Sequence, residues 1–224
     1  MAPSRRAGAG AGVTASSVWA VVVAGGSGRR FGAEKQFVTL GGRALVAWSV
    51  AAARSVADGV VVVLPADNPG DAFGADVVVV GGDTRAASVR AGLAAVPGGA
   101  EVIVVHDGAR PLASAELFGA VVDAVVAGAD GAVPGLPVGD TLKRVSGDTV
   151  ADTVSRDGLV MVQTPQAFRA AVLRRAHASG DDATDDAALV ESLGATVRVV
   201  PGEPRNLKVT TTADLDVVRA LVQT

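Results

Sequence analysis

The chain contains no cysteine, only two histidines and only 3% aromatic residues. Without cysteine, disulfides, zinc thiolate sites and cysteine nucleophiles are excluded. Few aromatic rings argue against the stacking platforms that bind single-stranded nucleic acid. Because histidine is limited to His106 and His177, His-rich metal sites and most general-base triads are also poorly supplied. The chemistry must therefore rest on carboxylates, cations and backbone amides.

An excess of one charge and a long hydrophobic run are also missing. The formal net charge is −3, with acids and bases interspersed, which argues against nucleic acid or an anionic membrane as a partner. The apolar run over residues 18–24 is far shorter than the ~20 residues that span a bilayer. Residues 1–17 resemble a signal peptide in composition, but the run leads into a glycine loop and not a cleavage site. We therefore predict a disordered tail over residues 1–17 and a cytoplasmic protein.

Short runs rich in valine are what the chain has instead. They are continuous and not alternating, which is typical of strands buried on both faces of a parallel sheet. Helical segments are predicted between and after them, at residues 44–54, 84–95 and 114–127. The order predicts a doubly wound, mostly parallel α/β sheet, a Rossmann variant, in a single domain over residues 18–224. The apolar runs cover residues 18–24, 59–64, 76–80 and 101–105.

A projecting β-hairpin arm is predicted over about residues 135–162. Residues 140–145 and 149–154 read as two strands joined by a glycine-containing turn. The segment has too few apolar positions to form its own core. We therefore expect an arm that reaches another subunit.

Three short strings place flexible backbone or fixed cations at the ends of apolar runs or on loops. They are AGGSGRRFGAEKQF (24–37), HDGARP (106–111) and RNLKVT (205–210). Ligands of doubly wound sheets bind outside the carboxyl ends of the strands, where these strings fall. Together they predict a nucleoside triphosphate pocket that works by charge stabilisation.

The glycine loop of the first string favours phosphate binding over two familiar alternatives. Its glycines allow close backbone approach, so that successive N–H groups point at phosphate oxygens. The spacing G-x-G-x-x-x-G is one residue too long for a dinucleotide fingerprint, and the Gly-Lys-Ser/Thr of a P-loop is absent. The loop holds Gly25, Gly26 and Gly28, followed by the cations Arg29, Arg30 and Lys35.

Six ordered motifs give the chain a specific resemblance. AGGSGRRFG…KQF, HDGARP, DTLKR, TPQAF, TDDA and NLKVT resemble the 2-C-methyl-D-erythritol 4-phosphate cytidylyltransferase family, from about Val18 to the C-terminus. One departure is a shorter loop before Lys35, with Glu34 where the family usually has proline. The resemblance implies a nucleotidyltransferase-like fold and cytidylyl transfer from CTP to a small sugar-alcohol phosphate. It also implies a Mg²⁺ cofactor and a homodimer with shared sites.

The resemblance also implies roles for individual residues. For the metal, Asp107 suits a cation that takes one or two carboxylates plus substrate phosphates. For Lys208, an apolar setting is costly unless an anion is bound there. The implied catalytic residues are Arg30, Lys35 and Lys208; the nucleotide-binding residues are Ala24, Gly25, Gly26, Gly28, Gly82, Asp83 and Ser88; the substrate-binding residues are Arg110, Thr141, Arg156 and Thr164; the metal ligand is Asp107.

Several of these positions also have a purely structural interpretation. Asp83 reads as a helix N-cap, and residues 184–186 read as a helix start. We expect His106 to be packed and hydrogen-bonded and not a base, and Lys208 to lie in a strand-like segment over residues 207–211. Two pairings stay open: Arg110 with Asp107 or with substrate, and Arg156 with phosphate or with Asp152 or Asp157.

Four other functions are weighed against cytidylyl transfer to a methylerythritol phosphate. A cytidylyltransferase for ribitol 5-phosphate is the nearest, and a sugar-1-phosphate nucleotidyltransferase that uses UTP or GTP is more distant. A catalytically inactive nucleotide-binding domain is disfavoured because both Lys35 and Lys208 are retained. A dehydrogenase fails on the glycine spacing.

Overall fold

Valine-rich strands form the centre of the protein, as the continuous apolar runs predict. The computed structural model describes residues 16–26, 34–68 and 71–222. Every residue of the strands Gly59–Leu64 and Val102–Asp107 is buried. In chain order the strands are β1 (Val18–Val23), β2 (Thr39–Leu40), β3 (Arg43–Ala44), β4 (Gly59–Leu64), β5 (Val77–Val80), β6 (Val102–Asp107), β7 (Gly131–Pro137), β8 (Leu142–Ser146), β9 (Thr149–Val154), β10 (Val160–Val162), β11 (Gln166–Arg169) and β12 (Val197–Pro201).

The main sheet of the described residues has eight strands, and its parallel part follows the doubly wound pattern. β6, β1, β4 and β5 lie side by side and parallel. The chain runs from β1 outward through β4 to β5, and then returns to β6 on the other side of β1. The carboxyl ends of β1 and β6 therefore form the switch point where such sheets bind ligands. On the far side of β6, β11 is antiparallel to both β6 and β7, and β12 is parallel to β7.

Helices cover both faces of this sheet, which explains why its strands do not alternate. Ala20 and Val22 of β1 pack in a cluster with α1 and α3. Val21 points to the opposite face and packs with α2, α4 and α5. Both faces of the strand are thus removed from water, and the doubly wound prediction is confirmed. The helices are α1 (Leu45–Ala53), α2 (Arg85–Ala95), α3 (Ala115–Val126), α4 (Ala170–His177), α5 (Asp186–Glu191) and α6 (Thr212–Val222).

Two local predictions were wrong. The N-cap of α2 is Thr84 and not Asp83, because the Thr84 side chain accepts the Ala87 amide at 3.1 Å. Residues 207–211 form no strand, because Val209 makes only a single ladder-like bond, from its amide to the Ala109 carbonyl at 2.9 Å. The start of α5 is as expected: Asp185 caps it and accepts the Ala188 amide at 3.0 Å.

The arm is a separate two-stranded sheet of β8 and β9. Nearly all of its residues are exposed, and Gly147 turns the chain with a φ of 62°. Both flanks belong to the main sheet, since β10 pairs antiparallel with the end of β7. The hairpin thus leaves the sheet after Pro137 and returns at Val160. Within the described ranges, no helix is long and apolar enough to cross a membrane.

A small apolar cluster joins the two ends of the chain. Leu40 and Leu45, from the segment after the glycine loop, pack with Val209 and with Leu215 and Val218 of α6. This cluster holds the residues around Val209 against the loop side of the sheet.

A capping box begins α6. Thr211 Oγ1 accepts the Asp214 amide at 3.3 Å, and Asp214 Oδ2 accepts the Thr211 amide at 2.8 Å. The same Asp214 oxygen accepts the amide and the hydroxyl of Thr210, at 2.8 and 2.6 Å. Thr210 and Thr211 together lower the pKa of Asp214 to about 2, the Thr210 hydroxyl contributing most.

Replacing Asp214 by alanine should destabilise the protein in a pH-dependent way. A lost cap typically costs about 0.5–2 kcal/mol. Because the folded-state pKa lies below the unfolded one, the contribution is complete above pH ~4 and is lost as the pH falls towards ~2. In thermal unfolding, the Tm of Asp214→Ala should lie below that of wild type above pH ~4, and this difference should disappear as the pH falls towards ~2. Asp216→Ala, which removes an exposed ion pair with Arg219, serves as the control and should show little change at any pH.

Candidate functional site

A polar cleft opens beyond the carboxyl end of β6, next to the switch point of the sheet. Its volume is about 110 Å³. Four sequence-predicted residues meet there: Asp107, Arg110, Thr164 and Lys208. The full lining is Arg85, Asp107, Arg110, Val162, Gln163, Thr164, Gln166, Thr184, Asp185 and Lys208.

Asp107 is the electrostatic centre of this cleft. Its Oδ1 lies 3.2 Å from Arg85 Nε, and its Oδ2 lies 2.7 Å from Lys208 Nζ. Burial alone would raise the pKa of this carboxyl, but the charges of Arg85 and Lys208 outweigh burial and hold the pKa well below its usual range. Asp107 is therefore ionised at any pH at which the protein works.

The two lysines predicted to be catalytic lie on either side of one short segment. Lys35 Nζ donates a hydrogen bond to the Val209 carbonyl at 2.7 Å, next to Lys208 in the chain. The Val209 amide is in turn bound to the Ala109 carbonyl, in the loop after β6. Lys35 therefore lies against the segment that carries Lys208, although it is not among the residues that line the cleft.

The glycine loop after β1 meets the loop after β5 above the end of β4. A Cβ atom at Gly25 would lie 3.3 Å from Ser88 Oγ, and one at Gly81 would lie 2.8 Å from the same atom. A side chain at Gly81 would force Ser88 to move, and one at Gly25 would fit only tightly, so both glycines suit the close approach of the backbones. The buried side chain of Gln36 donates to the Gly26 carbonyl at 3.3 Å and closes the base of the loop. Gly28 and Arg30 lie outside the described residues.

Of the predicted nucleotide-binding residues at the start of α2, Ser88 is buried whereas Gly82 and Asp83 are exposed. Ser88 Oγ lies 3.2 Å from both the amide and the carbonyl of Gly82, and the side chain is buried. Ser88 therefore shapes the Gly82 backbone, while Gly82 and Asp83 themselves are exposed. Ala24 is buried and donates its amide to the Val63 carbonyl at 2.8 Å.

A chain of buried hydrogen bonds fixes the protonation of His106. His106 Nε2 lies 3.2 Å from the Arg110 carbonyl, which can only accept, so Nε2 carries the proton. The other nitrogen, Nδ1, lies 3.1 Å from Thr164 Oγ1, which also accepts the Asp107 amide at 3.0 Å. In the neutral ring, Thr164 therefore donates to Nδ1. His106 is packed against Phe118 and is not placed as a base, as expected from the sequence.

Arg110 is anchored by a second buried network. Its Nη1 donates to the Asn206 carbonyl at 2.8 Å, and Asn206 Nδ2 donates to the Thr164 carbonyl at 2.9 Å. Gln163 Nε2 bonds the carbonyls of Glu203 and Asn206 at 2.9 and 3.3 Å. Arg110 Nε is buried without a partner within the described ranges and borders the cleft. Of the two alternatives for Arg110, an ion pair with Asp107 is not formed among the described residues, and contact with substrate stays a prediction.

The residues that sequence reasoning missed are Arg85, Gln163 and Asn206. Asn206 stood inside a recognised string but carried no assigned role, and Gln163 directly precedes one. Arg85 carried a signal that was overlooked: a cation in the first turn of a helix opposes the helix dipole. Thr184 and Asp185, interpreted only as a helix start, also line the cleft.

Two predicted substrate residues lie on the arm and do not line this cleft. Thr141 and Arg156 are exposed, and Arg156 Nη1 donates to the Gly139 carbonyl. The open pairing of Arg156 with Asp152 is not seen, since Asp152 pairs with Arg144 at 3.4 Å.

The donor set suits a cation that is shared with substrate. Across the part of the chain that the structure describes, no three His, Cys, Asp or Glu side chains are grouped to hold a metal. Asp107 instead offers one ionised carboxylate at the cleft. Magnesium commonly takes one or two carboxylates together with substrate phosphates, so this residue fits that ion.

Comparison with known proteins shows the family of the chain. The family model "IspD: 2-C-methyl-D-erythritol 4-phosphate cytidylyltransferase" matches residues 18–224. The chain belongs to this family. The crystal structure of the enzyme of this name from Thermus thermophilus aligns with a TM-score of 0.80 and 39% identity, over 91% of this chain and 98% of that one.

Curated relatives fall into two groups. The protein of the same name from Deinococcus radiodurans is 44% identical over 207 residues, which cover 90% of this chain and 88% of that protein. The "Bifunctional enzyme IspD/IspF" of Clavibacter michiganensis is 47% identical over 220 residues, which cover 90% of this chain but 53% of that protein. The chain thus spans about half the length of the bifunctional relatives it matches.

The His106 imidazole should stay neutral at mildly acid pH. Burial, aided by the charges of Arg110 and Lys208, lowers its pKa to about 4, although Asp107 acts in the opposite direction. Because the unfolded-state pKa is ~6.5, stability should fall as the pH drops from ~6.5 to ~4. ¹⁵N NMR of the two histidines at pH 5.5 should find His106 protonated on Nε2 alone. Titration of His106 near pH 6.5 would contradict the assignment.

Proposed function

We propose that this protein transfers a cytidylyl group from CTP to 2-C-methyl-D-erythritol 4-phosphate, and releases diphosphate. The observation that carries the proposal is the ionised Asp107 between two cations at the switch point, with Lys35 beside Lys208. Family membership over residues 18–224 supports the choice of substrates.

The triphosphate would bind between the glycine loop and the two lysines. Gly25 and Gly26 supply backbone amides, and Gln36 holds the base of that loop. Lys35 and Lys208, on either side of the segment around Val209, supply positive charge. Arg30 is proposed as a third cation. Preplaced donors of this type are worth roughly 2.7–4 kcal/mol each in the transition state.

Asp107 would hold a magnesium ion together with phosphate oxygens of CTP. The ion supplies charge neutralisation and orientation of the phosphates when bound. In the free protein Lys208 occupies Oδ2 of Asp107. An anionic α-phosphate would draw the Lys208 ammonium towards itself, so that this oxygen becomes available.

The reaction itself needs no protein nucleophile. An oxygen of the acceptor phosphate attacks the α-phosphorus of CTP in line, the bond to the β-phosphate oxygen breaks, and diphosphate leaves. Negative charge that builds on the equatorial oxygens is met by the lysines. A chain without cysteine, whose buried His106 is committed to Thr164 and Arg110, suits this direct route.

The acceptor would bind in the polar cleft beside Asp107. Arg110 and Thr164 border it from one side, and Thr184 from another. From a second copy of the chain, the arm would contribute Thr141 and Arg156. An Arg fork with a neighbouring hydroxyl is suited to phosphate.

A homodimer would cover an apolar surface that one chain leaves exposed. The residues that return from the arm to the sheet, Leu159 to Val162, are each 39–51% exposed. Val145 and Val150 on the arm are 61% and 56% exposed. Contiguous apolar surface of this kind marks an interaction site, and a symmetric dimer places the same patch on both sides.

The comparisons do not favour the other functions weighed from the sequence. The family model and the relative from Deinococcus radiodurans carry the methylerythritol name and not ribitol or a sugar 1-phosphate. The retained Asp107, Lys35 and Lys208 also weigh against an inactive nucleotide-binding domain.

Diphosphate release provides the direct test. With CTP and magnesium, release should occur with 2-C-methyl-D-erythritol 4-phosphate and not with ribitol 5-phosphate. Lys208→Ala should lower kcat by roughly 10²–10³-fold, because a transition-state donor is removed. Arg219→Ala removes an exposed cation of α6 that does not line the cleft and should leave kcat unchanged. Release with ribitol 5-phosphate alone, or full activity of Lys208→Ala, would contradict the proposal.

Mixed dimers test whether the site is shared. Lys208→Ala and Arg156→Ala chains, carrying different tags, are co-expressed and the mixed dimer is purified. A shared site predicts about half of the wild-type activity, because one of the two sites receives both native residues. Activity no higher than the mean of the two parent dimers would mean that Lys208 and Arg156 of each site come from the same chain. A monomeric protein would contradict the shared site altogether.

A further inference from the structure

Arg85 occupies a position that helix physics disfavours. It is the first residue of α2, where the positive end of the helix dipole repels a cation. Its side chain is also largely buried, at 25% exposure, which removes the charge from water. A residue that breaks two local rules at a ligand site is a candidate for a functional role.

Two carboxylates from different elements hold Arg85 in place. Arg85 Nε lies 3.2 Å from Asp107 Oδ1 at the end of β6, and its Nη2 lies 2.8 Å from Asp186 Oδ2 in α5. Asp186 is only 1% exposed, and its Oδ1 lies 3.0 Å from Nε2 of the buried His177. The result is a line of charged and polar groups that runs from Lys208 to His177.

We propose that Arg85 is a positioning residue that holds Asp107 in its working orientation while Lys208 is engaged by the nucleotide. The inference rests on the proposed function, because it needs Lys208 to leave Asp107 Oδ2. Arg85 holds the other oxygen, Oδ1, and the Asp186 charge prevents it from following an incoming phosphate. Asp107 thus keeps one fixed oxygen and presents the second one to the cleft.

The bridging geometry requires a guanidinium and not merely a positive charge. The Nε and Nη2 of one planar group contact two different carboxylates. A lysine ammonium is a single point on a flexible stem and cannot span both in the same way. The conservative variant Arg85→Lys therefore separates loss of orientation from loss of charge.

The experiment compares Arg85→Gln, Arg85→Lys and Asp186→Asn with wild type. Arg90→Gln is the matched control: Arg90 lies on the same helix, is 31% exposed in its side chain and, among the described residues, pairs with groups at residues 181 and 182. For each protein, kcat, KM for CTP and the magnesium concentration for half-maximal rate are measured. Binding of CTP is measured by calorimetry with and without magnesium.

Arg85→Gln should lower kcat or the apparent magnesium affinity by roughly 10–100-fold, the usual cost of losing a group that orients a metal ligand. The magnesium-dependent gain in CTP affinity should shrink, while CTP binding without magnesium stays near wild type. Arg85→Lys and Asp186→Asn should fall between Arg85→Gln and wild type. Arg90→Gln should match wild type in all of these.

The possible failures are distinguishable. The positioning role is overturned if Arg85→Gln folds and keeps the wild-type kcat, magnesium requirement and magnesium-dependent CTP binding. If Arg85→Gln does not fold, Arg85→Lys and Asp186→Asn decide by the same criteria. If wild type releases no diphosphate with any acceptor phosphate, the proposed function fails, and the calorimetric comparison alone still judges Arg85. Equal losses in Arg90→Gln would show a general effect on α2 and would also overturn the inference.

Discussion

The buried carboxylate of Asp107 constrains the rest of the site. An ionised carboxylate at the end of a fully buried strand is costly unless cations and donors meet it. The cations are Arg85 from α2 and Lys208 from the segment before α6. Thr164 accepts a hydrogen bond from the Asp107 amide. Four parts of the chain therefore have to converge on one position.

The fold provides that convergence with little freedom. Helices pack on both faces of β6 and β1, so the strands at the switch point are held from both sides. The small apolar cluster of Leu40, Leu45, Val209 and α6 then holds the C-terminal segment against the residues that follow the glycine loop. This cluster and the Val209 backbone place Lys35 at the segment that carries Lys208, which the main sheet alone would not do.

Much of this architecture could be predicted from the sequence because a few patterns have one physical solution. Continuous valine runs are stable only when both faces are covered, and the predicted parallel strands lie within one or two residues of the observed ones. β7 and β11 were missed, since GAVPGLP and QAFR carry neither a long apolar run nor clear alternation.

Site residues could be predicted from the sequence where they follow a continuous apolar run that forms a buried strand. Elsewhere the sequence carries a weaker signal. Asp107 lies at the carboxyl end of β6, as its place after an apolar run predicts. Arg110, Thr164 and Lys208 line the same cleft. Arg85 was hidden because one cation at a helix start is a weak signal until Asp186 is known to be near it. The wrong cap at Asp83 has a similar cause: two adjacent residues can both cap a helix, and only the backbone angles select Thr84.

The central claim is that these charges stabilise a single direct displacement. The stereochemical course at the α-phosphorus tests it most directly, with one diastereomer of CTP that carries sulfur on the α-phosphate as the substrate. One in-line displacement predicts inversion of configuration in the product. Retention would require two displacements through a covalent enzyme intermediate and would contradict the account.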